Sequence, residues 1–201
     1  MIFGRKLDED TLVELEISLK NIAQTYRKRA LEHKNNYEKI KRELLSEISR
    51  GDSLDSPALL AKAKRALYYH KQALAFYNDY NNLTLLVEEI KNIRIRKEAM
   101  EQLKEEKLID TLKGKLSPAL RSMVKDARSL SELVNKIMMY SSEMRVEGPT
   151  TDISDEEARE FLQALASEAS QVSAKETTTT AAGERLKRKL EELERQLESI
   201  E

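Results

Sequence analysis

Two histidines, His33 and His70, are the residues of this chain best suited to acid–base chemistry near neutral pH or to metal binding. They fall on different predicted helices, and neither belongs to an HExxH or a Glu-x-x-His pattern. The chain has no cysteine, which excludes disulfides and thiolate metal sites, and no glycine-rich phosphate loop. The residue pattern therefore predicts no catalytic, cofactor or metal site, and we expect a protein that is not an enzyme.

The N-terminal residues combine bulky apolar side chains with cations. Met1, Ile2 and Phe3 are followed closely by Arg5 and Lys6. A short apolar wedge beside cations suits the surface of an anionic bilayer, where each nearby Lys or Arg contributes about 1 kcal/mol. This segment is a candidate membrane contact. The alternative is that it packs on the helices of its own chain.

The C-terminal residues 184–201 form a predicted amphipathic helix. Its apolar side chains recur at helical spacing and are Leu186, Leu190, Leu193, Leu197 and Ile200. The preceding residues, 171–183, are polar and threonine-rich, which is typical of a flexible linker. A helix that is isolated on a tether cannot bury such a stripe alone. We therefore expect it to be detached and to bind in the groove of a partner domain.

Two long amphipathic helices are predicted upstream, over residues 10–50 and 56–113. Their apolar stripes repeat every three or four residues, and in the first helix the stripe persists for about ten turns. The inward residues of that helix are Leu12, Leu15, Leu19, Ile22, Tyr26, Ala30, His33, Tyr37, Ile40, Leu44 and Ile48. A hairpin of this length is too long for a compact core, so we expect an extended subunit that completes itself against copies of itself.

Aromatic residues cluster in the second long helix, where five of the chain's ten lie between residues 68 and 80. This part of the helix is apolar on more than one side, which predicts a second buried face. Tyr69, Phe76, Tyr77 and Tyr80 are therefore candidates for a contact with a neighbouring subunit. The alternative is a wide stripe that receives later helices of the same chain.

Shorter helices are predicted after a break at residues 113–118, where Gly114 weakens a helix and Pro118 restricts the residue before it. One helix is predicted over residues 118–145. A short acidic helix should follow Ser154, which has capping-box spacing to Glu157. The chain is therefore expected to be all-α.

Charge is distributed unevenly along the chain. Residues 1–115 carry 23 Lys and Arg against 19 Asp and Glu, whereas residues 116–201 carry 12 against 17. The basic residues of the first helix, among them Lys20, Arg27, Lys28 and Lys34, could face lipid or the acidic segment 152–160. The basic face is too sparse to predict nucleic-acid binding. No apolar run approaches the roughly 18 residues of a membrane span, and no secretory leader is evident, so we expect a cytoplasmic protein that is peripheral on membrane.

This order of parts resembles the ESCRT-III family, which includes the archaeal Cdv division proteins and the eukaryotic charged multivesicular body proteins. The layout implies five regions: a membrane-contact segment (1–9), a polymerisation hairpin (10–113), an acidic regulatory region (114–170), a linker (171–183) and a terminal helix (184–201). In the terminal helix, Leu186, Lys189, Leu190 and Leu193 are similar to the family's first type of MIT-interacting motif. It departs from that motif at Gly183, where an acid is expected, and at Glu194, where a base is expected.

The resemblance implies assembly rather than catalysis. Subunits would polymerise with themselves, and with related ESCRT-III subunits, on negatively charged membrane, and would remodel or cut it in processes such as cell division and vesicle trafficking. A Vps4-like AAA ATPase would bind the tail through its MIT domain and disassemble the filament. Two alternatives fit the same hairpin: a PspA/Vipp1-like membrane polymer, and a soluble coiled-coil scaffold that never touches lipid.

Overall fold

A computed structural model describes residues 8–96, 104–143, 152–173 and 181–200. Every regular element in these ranges is an α-helix, which confirms the all-α class. The helices are α1 (Glu9–Ser49), α2 (Pro57–Ile95), α3 (Glu105–Lys115), α4 (Pro118–Val124), α5 (Leu130–Glu143), α6 (Asp155–Ser173) and α7 (Ala181–Glu198). Five of the residues proposed for membrane contact, Met1, Ile2, Phe3, Arg5 and Lys6, lie outside the described residues.

Helix α1 begins and ends within one residue of its predicted limits. The Asp8 carboxylate caps its N-terminus by accepting hydrogen bonds from the backbone N–H and the hydroxyl of Thr11, at 3.3 and 2.9 Å. At the other end Gly51 adopts a φ of +92°. The Gly51 N–H donates to the Ile48 carbonyl, and the Asp52 N–H donates to the Glu47 carbonyl. This pairing is a Schellman motif, which needs the left-handed residue that glycine supplies.

Helix α2 begins at Pro57, one residue after its predicted start, but it does not continue to residue 113. It ends at Ile95, and Lys104 has extended backbone dihedrals (φ −76°, ψ 138°) just before α3 begins. Glu105 and Glu106 occupy the first turn of α3, where carboxylates interact favourably with the exposed N–H groups. A new helix start therefore interrupts the continuous apolar pattern that had predicted one long helix.

The prediction of one helix over residues 118–145 is also wrong, because α4 ends at Val124 and α5 begins at Leu130. A cap at Ser129 that was not identified from the sequence starts α5. The Ser129 hydroxyl accepts from the Glu132 N–H at 3.2 Å, and the Glu132 carboxylate reaches back to accept from the N–H of Arg128, the residue before the cap, at 2.8 Å. These bonds favour a fresh helix start at residue 130.

The described residues fall into two compact units. Unit 1 contains residues 9–27 of α1, 77–95 of α2, and the helices α3, α4 and α5. Its apolar core includes Leu12, Leu15, Leu19, Ile22, Leu83, Leu86, Ile90, Leu112, Leu120, Leu133 and Ile137, all buried. The buried Tyr26 of α1 and the half-buried Tyr140 of α5 meet through their hydroxyls, which lie 3.2 Å apart. Arg94 of α2 pairs with Glu16 of α1 at 3.2 Å.

Unit 2 contains residues 28–49 of α1, 57–76 of α2, and the helices α6 and α7. Its core is formed by side chains of all four segments: Ala30, Tyr37, Ile40, Leu44, Leu59, Ala63, Ala66, Leu67, Phe76, Ala158, Phe161, Leu162, Leu165, Leu190, Leu197 and Ile200. The predicted capping box of α6 is confirmed. Ser154 Oγ accepts from the Glu157 N–H at 3.1 Å, and the Glu157 carboxylate accepts from the Ser154 N–H at 3.0 Å.

Candidate functional site

The terminal helix α7 is the segment in which the structure departs most from the sequence-based expectation. A detached helix was predicted, but α7 packs against α6 and the hairpin segment within unit 2. Leu190, Leu197 and Ile200 are at most 5% exposed, and Leu186 and Leu193 are half-buried. The chain itself therefore covers the apolar stripe that was expected to need a partner. Of the predicted linker, residues 171–173 belong to α6 and residues 181–183 to α7.

Hydrogen bonds and ion pairs hold α7 against α1 and α6 at several positions. Lys34 Nζ donates to the Ile200 carbonyl at 2.7 Å. Lys41, whose side chain is only 13% exposed, pairs with Glu168 of α6 at 3.3 Å and also with Glu194 of α7. Lys189 pairs with Glu160 of α6. These contacts join α1, α6 and α7, so the helix is held by charges as well as by buried leucines.

His70 makes the contact between α2 and the middle of α7. Its Nε2 lies 2.9 Å from the Leu193 carbonyl oxygen. The His70 side chain is 2% exposed. Its ring makes an edge-to-face contact with the ring of Tyr37, with the two centroids 5.4 Å apart. A cavity of about 100 Å³ lies beside it, walled by Leu67, Phe161, Ala164, Leu190 and Leu193 with charged residues in its lining. Burial lowers the pKa of His70 below its usual value, and the Leu193 carbonyl partly offsets this effect.

His33 occupies a different place in the same unit. Its ring stacks on Phe76 with centroids 5.4 Å apart and planes inclined by 5°, and it also lies 5.6 Å from the ring of Tyr69. Burial, followed by the nearby Arg29, lowers its pKa. No set of three His, Cys, Asp or Glu side chains among the described residues is arranged to hold a metal ion.

The proposed subunit-contact residues are divided between the two units. Tyr69 and Phe76 belong to unit 2, where Phe76 is buried in the core and Tyr69 is half-buried beneath Arg65. Tyr77 and Tyr80 belong to unit 1, where both are half-buried with ring centroids 5.9 Å apart. The two tyrosines of unit 1 thus have part of their surface open to a neighbour, whereas Phe76 has almost none.

The proposed membrane-facing cations of α1 are exposed, and two of them share a groove. Lys20 and Arg27 line a groove of about 240 Å³ between α1 and α2 in unit 1, together with Lys91 and the acidic residues Glu16 and Glu88. Lys28 is exposed on unit 2. The groove therefore carries mixed charge.

The acidic segment 152–160 has other partners in the described contacts. Asp155 pairs with Lys64 and Glu157 with Lys71, both in α2. These lysines lower the pKa of Asp155 and Glu157. Sequence reasoning missed these two pairings, and the pairing of Lys41 with Glu194, because contacts between residues far apart in sequence have no local signature.

No helix among the described residues is long and apolar enough to cross a bilayer. No protein-family model, curated protein or solved structure matches the chain.

Proposed function

We propose that this chain is an ESCRT-III-like subunit that polymerises on negatively charged membrane and remodels or cuts it, and that a Vps4-like AAA ATPase disassembles the polymer. In this account the protein works by assembly, without catalysis. The observation that carries the proposal is that α7, whose leucines are similar to those of an MIT-interacting motif, packs on a helical hairpin with Leu190 only 5% exposed. A peptide that is stored in this way is suited to controlled release.

The burial of Leu190 sets the order of events. An MIT domain that grips an amphipathic helix needs the same apolar side chains that unit 2 now covers. The MIT domain therefore cannot bind α7 while the helix is docked. Its apparent affinity is the intrinsic affinity multiplied by the fraction of subunits in which α7 is released. In the proposed cycle, α7 leaves unit 2, the uncovered hairpin segment becomes a surface for the next subunit, and the ATPase engages the freed helix. Contacts between unlike surfaces that do not close then generate a filament.

Membrane binding is assigned to the apolar residues Met1, Ile2 and Phe3 and to the cations Arg5 and Lys6. The exposed cations Lys20, Arg27 and Lys28 of α1 would add to it. Charges of this kind act additively at an anionic surface, at about 1 kcal/mol each. Subunit contacts are assigned to Tyr77 and Tyr80 of unit 1, and to Tyr69 and Phe76 once unit 2 rearranges.

Vesicle co-sedimentation tests the membrane role. Lys20→Gln with Arg27→Gln removes two charges, and we expect binding to anionic vesicles to weaken by about thirtyfold, which corresponds to about 2 kcal/mol. Lys39→Gln with Arg42→Gln is the matched control, since both residues are exposed cations of the same helix outside the proposed site. Equal binding by the wild type to neutral and anionic vesicles would refute an electrostatic membrane role.

The same assay separates the proposal from a soluble coiled-coil scaffold, which predicts that the wild type stays in the supernatant with every vesicle. A PspA/Vipp1-like polymer also predicts vesicle binding. Calorimetric titration with an isolated MIT domain distinguishes it, because such a polymer predicts no binding of that domain.

A further inference from the structure

We propose that His70 makes the docking of α7 sensitive to pH: the neutral imidazole holds the helix through its bond to Leu193, and protonation in mildly acidic solution releases it. The release needs only this chain, so the inference does not depend on a membrane or an ATPase.

The bond itself fixes the state of the ring. A backbone carbonyl can only accept a hydrogen bond, so the Nε2 of His70, 2.9 Å from the Leu193 oxygen, must carry the proton. In the neutral ring Nδ1 is then the unprotonated nitrogen. Acid adds the second proton at Nδ1 and converts a neutral donor into a buried cation.

The surroundings disfavour that cation. The ring is 2% exposed, and five apolar side chains, Leu67, Phe161, Ala164, Leu190 and Leu193, line the adjoining cavity. The four charged residues of its lining are paired with one another, Lys71 with Glu157 and Lys189 with Glu160. Removing a charge from water into such surroundings is costly unless an opposite charge compensates it. The cost is avoided if α7, which forms part of the wall through Leu190 and Leu193, moves away and water enters.

The groups that face or flank the ring do not supply the missing negative charge. They are Tyr37 of α1, Lys71 of α2, Glu157 and Glu160 of α6, and Lys189 of α7. Glu194 is the residue that follows Leu193 in α7. Each of the three carboxylates already pairs with a lysine: Glu157 with Lys71, Glu160 with Lys189, and Glu194 with Lys41. Burial raises the pKa of Tyr37, which therefore stays neutral and contributes no charge. Lys71 opposes protonation of the ring directly.

The pH window follows from the direction of the shift. The pKa of His70 is lower in the docked state than the value of about 6.5 expected of an exposed histidine. Docking is therefore unpenalised above about pH 6.5, and it weakens as the pH falls through this value towards the pKa of the docked state. A single proton changes the ratio of released to docked α7 by at most tenfold per pH unit.

His33 provides a natural control. It also has a lowered pKa and lies in unit 2, but its ring contacts are with Phe76 and Tyr69 of α2. Its protonation should therefore affect the packing of α1 on α2 and not the docking of α7 at Leu193.

Spin labels can follow the release, because the chain has no native cysteine to interfere. We place them at Asn35→Cys in α1 and Glu198→Cys in α7, which are exposed positions of unit 2. The distance between the two labels is measured in the full chain by pulsed electron–electron double resonance from pH 8 to pH 5. For the labelled chain that keeps both histidines, and for its His33→Gln variant, we expect one short label–label distance at pH 8. A second population with a longer distance should grow below about pH 6.5.

His70→Gln is the decisive variant, since its amide can donate a hydrogen bond but cannot titrate. We expect it to keep the short distance to pH 5. The proposal would be overturned if the labelled chain with both histidines kept the short distance at pH 5. It would also be overturned if His70→Gln released α7 as much as that chain does. If His70→Gln does not dock even at pH 8, the imidazole proton resonances of the His33→Gln parent decide. Midpoints for His70 titration and α7 release that agree within one pH unit support the proposal, and midpoints separated by more than one pH unit refute it.

Discussion

The ammonium group of Lys34 in α1 donates a hydrogen bond to the backbone carbonyl of Ile200, 2.7 Å away, although the two residues are 166 positions apart in sequence. This carbonyl belongs to the last turn of chain after α7, where carbonyl groups lack helical partners and a cation is favoured. The first helix therefore closes the C-terminal end of the last one. Loss of this contact should weaken the docking of α7 more than it weakens any other part of unit 2.

Lys34→Met is expected to weaken the docking of α7 by about 1 kcal/mol, because a charge-assisted hydrogen bond is lost while the aliphatic stem is kept. Hydrogen exchange of the amides in residues 184–198 should then be about fivefold faster. Lys39→Met, at an exposed position of the same helix, should leave these rates unchanged. A uniform acceleration across α1, α2 and α6 would instead mean that Lys34 supports the whole of unit 2.

Lys41→Met is expected to raise the affinity of the full chain for the MIT domain of a Vps4-like ATPase. Lys41 lies between Glu168 and Glu194, so its removal leaves two carboxylates facing each other across the α6–α7 contact. Docking should weaken by about 1 to 2 kcal/mol, which frees the motif without altering any of its residues. Isothermal titration calorimetry should show affinity five- to thirtyfold higher than that of the wild type. Unchanged affinity would show that docking does not compete with partner binding.

Tyr37→Phe and Tyr26→Phe should have different effects on stability. Both side chains are 1% exposed. The Tyr26 hydroxyl bonds to that of Tyr140, whereas the Tyr37 hydroxyl is buried with no hydrogen-bond partner among the described residues. Removing an unsatisfied buried hydroxyl should be neutral or stabilising, and removing a satisfied one should cost about 1 kcal/mol. Urea unfolding followed by circular dichroism measures both, and a larger loss for Tyr37→Phe than for Tyr26→Phe would contradict the assignment.

Ser129→Ala should destabilise α5 by about 1 kcal/mol, because the hydroxyl that covers the Glu132 N–H is lost. Ser131→Ala, at an exposed position in the first turn of the same helix, is the control and should be within about 0.5 kcal/mol of the wild type. Equal effects of the two substitutions in urea unfolding would show that Ser129 does not act as the cap.

Local signals account for the parts of the fold that could be predicted. The limits of α1 followed from an apolar stripe at helical spacing, and nine of its eleven inward residues are buried, with His33 and Ile48 half-buried. The start of α6 followed from the Ser154–Glu157 capping box. The breaks before Glu105 and at Ser129 were missed because the apolar pattern continues across both.

The docking of α7 could not be predicted in the same way. It depends on Lys34, Lys41 and His70, which are spread over two helices and meet α7 only after the chain has folded. The leucines of α7 predict that the helix must bury one face, and they are equally consistent with burial against another protein. Only the folded structure shows that its own chain covers this face.

The most direct test of the proposed function is electron microscopy of the purified full chain, with and without liposomes that contain anionic lipid. The account predicts filaments or deformed tubules that appear, or greatly increase in number, on the anionic liposomes, and a further increase when Lys41→Met loosens α7. Compact particles that leave the liposomes unchanged, in the wild type and in Lys41→Met alike, would contradict it.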